Sequence, residues 1–61
     1  MAKRAQVLEW LFNAGAANDR SEWLRLWATH RISRAVADER WAAGRRFAEG
    51  IAARDAVKEN A

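Results

Sequence analysis

No cysteine, proline or tyrosine occurs in this 61-residue sequence, which holds one histidine, one methionine and three glycines. Each scarcity removes a class of explanation. Without cysteine there is no disulfide, and a single histidine cannot complete a Cys/His zinc site. Without proline, nothing breaks a helix by steric force alone. No window approaches the roughly 18–20 apolar residues of a membrane span. Lys3 and Arg4 precede an apolar stretch from Val7 to Phe12, but Glu9 interrupts it and the run is too short for a signal peptide. The expectation is a cytoplasmic chain with no membrane partner.

Charge of one sign is also in short supply. Eleven basic residues, nine of them Arg, face eight acids, for a net charge of +3. The acids run from Glu9 to Glu59 and no block of like charge forms, so there is no basic arm of the kind that grips nucleic acid. Catalytic groups are equally sparse. His30 and Ser33 are i, i+3 neighbours on a helical pattern with no orienting carboxylate. Asp38 and Glu39 are adjacent, so on a helix they point about 100° apart and cannot share a proton. Gly44 and Gly50 follow no strand and form no phosphate loop. The chain reads as a non-enzyme without cofactor or metal.

What is abundant is alanine, arginine and, for this length, tryptophan: Trp10, Trp23, Trp27 and Trp41. The first two favour helix throughout, and strand alternation is absent. A chain this short nets only about 3–5 kcal/mol from its own core. Tryptophan dominates the energetics of both cores and interfaces. Four of them raise the question of which are buried internally and which are offered outward.

Residues 1–61 read as a single small helical domain, an all-α helical hairpin. The first helix is predicted over about 3–14, with Val7, Trp10, Leu11 and Ala14 at i, i+3, i+4 and i+7, and Gly15 as its left-handed terminator. Asp19-Arg20-Ser21-Glu22 has the spacing of a capping box, with Asn18 as the alternative cap. From there nothing compels a stop, and a long second helix is predicted over about 20–57, continuous or kinked. A fold-back at Gly44 is the alternative; it would leave Arg45 to Lys58 as a third helix. Val7, Trp10, Leu11, Trp23, Leu24 and Trp27 form the expected hairpin core. On the long-helix reading, the first helix covers only the first third of the second and does not reach Trp41.

The uncovered part keeps an apolar stripe, with Ile32, Val36, Ala43 and Phe47 at intervals of 4, 7 and 4 and Ile51 another 4 beyond. Trp27–Arg31 and Trp41–Arg45 share a W-A-x-x-R spacing suited to guanidinium–indole stacking. The expected partner-binding residues are therefore Trp41, Arg45 and Phe47, flanked by Ile32 and Val36. Projected on one helix, Arg20, Arg31, Arg34 and Arg45 share an arc, but Asp38 and three tryptophans share it too. Nucleic acid thus ranks below protein as a partner.

The stretch Arg40-Trp41-Ala42-Ala43-Gly44-Arg45-Arg46-Phe47-Ala48-Glu49-Gly50, ending in Ala53-Arg54-Asp55, resembles small bacteriophage accessory proteins. The resemblance covers about a quarter of the chain and carries no catalytic residue. It implies a protein that occludes or adapts a host or virion protein in the host-cell cytoplasm. Self-association as a homo-oligomer is the other expectation for the exposed stripe. A small Arg-rich nucleic-acid-binding regulator is the alternative function.

Overall fold

The computed structural model describes residues 2–59, with side chains described through residue 54. The chain is all-α, but it has three helices where a hairpin of two was expected: α1 (Arg4–Ala16), α2 (Arg20–His30) and α3 (Arg34–Glu59). Among the described residues no helix is long and apolar enough to cross a membrane.

The first turn is a Schellman closure built without glycine. Asn18 takes the left-handed conformation at φ 56°; its N–H donates to Gly15 O at 3.0 Å and that of Asp19 to Ala14 O at 2.9 Å. Gly15, expected to be the left-handed residue, is instead inside α1, and no glycine has positive φ among the described residues. The capping-box expectation is met by half. Asp19 Oδ1 accepts from the Glu22 N–H at 3.1 Å, while the Glu22 carboxylate turns to Arg25 rather than back to the cap.

The long second helix is broken at neither glycine but at Arg31-Ile32-Ser33. Arg31 closes α2 with φ 52° and ψ 44°, and Ser33 opens α3, its Oγ accepting from the Val36 N–H at 3.2 Å. Gly44 lies within α3, which contradicts the fold-back at that position as well.

This break decides the topology. Arg20, at the start of α2, lies 4.9 Å from the Trp41 ring, and Trp27, near its end, lies 5.2 Å from Arg34 at the start of α3. His30, the last residue of α2, sits 6.1 Å from Trp10. α2 is therefore antiparallel to both of its neighbours in sequence. Val7, Leu11 and Ala14 of α1, Trp23 and Leu26 of α2, Ile32 and Ala37 close one apolar core. Trp23 is fully buried, and its indole Nε1 donates to Ala37 O at 2.9 Å, which satisfies its polar atom at no solvation cost.

α1 and α3 touch backbone to backbone at two glycines. A Cβ on Gly15 would stand 2.4 Å from the Trp41 carbonyl oxygen, and one on Gly44 would stand 2.1 Å from that of Phe12. Neither position admits any other residue without moving a helix. The crossing falls at the C-terminal end of α1, beside the middle of α3. Beyond Ala48 the described side chains of α3 are exposed, and its 26 residues at 1.5 Å give about 39 Å, which accounts for most of the 46 Å long axis of the molecule.

Candidate functional site

Exposure changes abruptly along α3. Residues Val36, Ala37 and Trp41–Arg45 are buried or half-buried, whereas from Arg46 to Arg54 every side chain but that of Ala48 is exposed. Phe47, 54 % exposed, and Ile51, 45 % exposed, stand on this overhang one turn apart. Phe47 makes a tilted ring pair with Phe12 at 5.5 Å. With Arg46, Gly50 and Arg54 these two apolar side chains line a shallow cleft of about 190 Å³.

The base of the overhang is fixed by Arg45. Its Nη1 donates to Gly15 O at 3.1 Å, a carbonyl that also accepts from Asn18, and lies 3.5 Å from Ala16 O, so a cation meets the negative end of the α1 dipole. Its Nη2 is 3.9 Å from Glu49. The predicted Trp41–Arg45 stack is replaced by this cap, because the reach of Arg45 is taken by α1. Trp27–Arg31 is likewise not the pair that forms, since Arg31 lies in the left-handed turn. The stacking cations are Arg20, 3.9 Å over the Trp23 ring, and Arg34, 5.2 Å from both Trp23 and Trp27. Arg34 also holds both oxygens of Asp38 at 3.2 Å. The shared arginine arc does not survive, because it was drawn on one helix and its members lie on two helices and a turn.

The predicted contact residues separate accordingly. Ile32 is buried in the core and Val36 packs half-buried against it. Trp41 is covered after all: its backbone meets Gly15, its ring makes a T-shaped contact with Trp23 at 6.1 Å, and it remains half-buried. Of the five, Phe47 is the one with most of its surface in solvent. In the expected hairpin core, Val7, Leu11 and Trp23 are buried and Trp27 is half-buried, stacked 6.0 Å from Trp23. Leu24 is exposed because Trp23 and Leu26 take the inward positions of α2, and Trp10 lies at the edge beside His30. Arg46, Gly50 and Arg54 were not singled out from sequence. Their signal was the i, i+4, i+8 spacing, which places them in one row.

A second concavity of about 340 Å³ lies at the α1–α2 turn, lined by Trp10, Asn13, Ala17, Asp19, Glu22 and Arg25. Its charges satisfy each other. Arg25 Nε donates to Glu22 Oε2 at 2.9 Å, and this hydrogen bond from Arg25 holds the exposed Glu22 carboxyl below its usual range. Among the described residues no group of three or more His, Cys, Asp or Glu could hold a metal ion. Asp19, Glu22 and Arg25 are thus engaged within the fold, whereas no ion pair among the described residues uses Arg46 or Arg54. No family model, curated protein or solved structure matches this chain.

Proposed function

We propose that this chain is a small protein-binding module that docks through the overhanging half of α3 and performs no chemistry of its own. The observation that carries the reading is the exposure of Phe47 and Ile51 on a helix whose other half is packed. An apolar row on an unpartnered helix is the geometry of helix-in-groove recognition. Phe47 is the chief anchor. Arg45, Trp41, Ile32 and Val36 support it by fixing the angle at which α3 leaves the body. Ser33, three residues after His30, caps α3, which argues for structure over catalysis at that pair. The likeness to bacteriophage accessory proteins fits a module that occludes or adapts a larger protein.

The test is capture from lysate on the immobilised chain, in parallel with Phe47→Ser and Ile51→Ser, with and without nuclease. Protein retained by the parent chain, resistant to nuclease and lost on both variants, is the expected result. Material retained equally by parent and variants sinks the assignment to α3. Loss of all retained material on nuclease treatment replaces it with nucleic-acid binding.

A further inference from the structure

The cleft on the overhang has a charge pattern that specifies its occupant. We infer that it takes an acidic amphipathic helix of a partner protein, with carboxylates on Arg46 and Arg54 and the partner backbone close against Gly50. The inference rests on the docking reading above and adds the chemistry of the partner.

Among the described residues, the charged side chains lining the cleft are Arg46 and Arg54. Gly50 lies four residues after Arg46 and four before Arg54. An acid at that position would reach both guanidinium groups along the helix surface; glycine supplies none. The ion pairs among the described residues use Arg25, Arg34 and Arg45, and Glu49, three residues after Arg46, goes to Arg45. Arginine in this state presents a planar fork of donors suited to a carboxylate brought from outside.

Gly50 itself points the same way. Gly15 and Gly44 are required by a backbone crossing, but a Cβ on Gly50 would meet nothing within 4 Å. A glycine in the interior of an exposed helix destabilises it by about 0.5–1 kcal/mol relative to alanine. Nothing among the described residues requires that loss. What the missing Cβ admits is the close approach of another backbone between two apolar side chains, as it does at Gly44.

A second copy of the chain is a poor occupant. A two-fold antiparallel pairing centred on Gly50 sets Arg46 of one copy opposite Arg54 of the other, and a parallel pairing sets each arginine opposite itself. Either arrangement brings like charges together on the face that must be desolvated.

Two designed helical peptides serve as probes, sharing a leucine stripe and flanked by Glu in one and by Lys in the other. Fluorescence anisotropy should show the Glu-flanked peptide binding at least about tenfold more tightly than the Lys-flanked one, with the preference reversed by the double variant Arg46→Glu/Arg54→Glu. Both arginines are exposed, so circular dichroism should show the helices intact in that variant. Equal binding of the two peptides, lost on Ile51→Ser, overturns the acidic partner and leaves docking through α3 standing. Failure of both peptides to bind overturns both. A concentration-dependent dimer lost on Ile51→Ser, with no peptide preference, gives the face to a second copy. A labelled oligonucleotide that binds the parent chain and is released by the double arginine variant, when the Glu-flanked peptide does not bind, gives it to nucleic acid.

Discussion

The two halves of α3 belong to one helix and share its composition, yet they solve different problems. From Arg34 to Arg45 the helix is held on two sides, by the indole of Trp23 on its Ala37 carbonyl and by the backbone of α1 at Gly44. From Arg46 to Arg54 it has one ring contact, Phe12 on Phe47, and every side chain but that of half-buried Ala48 is exposed. Alanine and arginine are frequent in both halves, so composition does not separate them. Position relative to the end of α1 does. The lesson concerns how a small chain divides its apolar residues. Its internal core is confined to the region where three helices overlap, and of the large apolar side chains left exposed, Trp10 and Leu24 stand singly on α1 and α2 while Phe47 and Ile51 form a row on the element that outruns the others.

The sharpest way to break this comparison is to remove one aromatic side chain from each half's contacts. Trp23→Ala deletes a fully buried indole and should cost about 3–5 kcal/mol, the whole margin of a domain this size. The expected result in urea denaturation followed by circular dichroism is a chain largely unfolded without denaturant. Phe47→Ala loses one ring pair and partly exposed surface, and should cost about 1 kcal/mol. Equal destabilisation by the two substitutions would mean that the overhang is packed as the rest is.

Glycine gives the second contrast, with opposite signs. Gly44→Ala drives a Cβ into the Phe12 carbonyl and should destabilise by about 3 kcal/mol as α1 is pushed off. Gly50→Ala meets open space and should stabilise by about 0.5–1 kcal/mol through helix propensity. The shift in the thermal midpoint reads both. A destabilising Gly50→Ala would show that its surroundings are crowded and that the halves are alike.

How much of this was legible follows from the same residues. The helical class, the α1 stripe through Val7 and Leu11, the Asp19 cap and the amphipathic run through Phe47 and Ile51 are local patterns, and sequence carries them. The chain reversal between α2 and α3 was missed because left-handed residues were sought among glycines. The residues that take that conformation are Asn18 and Arg31, and Arg31 has no side-chain chemistry that announces it. The two glycines that looked like terminators instead allow a helix crossing, a long-range requirement with no local signature. Misplacing that one turn left Trp41 without a cover; restoring it brings Trp41 beside Gly15 and moves the exposed apolar surface on to Phe47 and Ile51.

The smallest predicted effects test whether the turn itself is what divides α3 into a held half and a free half. Ser33 caps α3 through its hydroxyl, which accepts from the Val36 N–H at the helix start. Ser33→Ala should cost about 1 kcal/mol. The loss should appear as increased amide exchange over the first turn of α3, with exchange beyond Arg46 unchanged. Arg31→Gly should act in the other direction, by a few tenths of a kcal/mol up to about 1, because it relieves a side chain held at φ 52°. Together the two variants leave every core contact in place and alter only the corner. If exchange rises along the overhang as much as at the corner, the two halves melt as one unit, and the exposed half is stabilised by the body rather than by its own helical propensity.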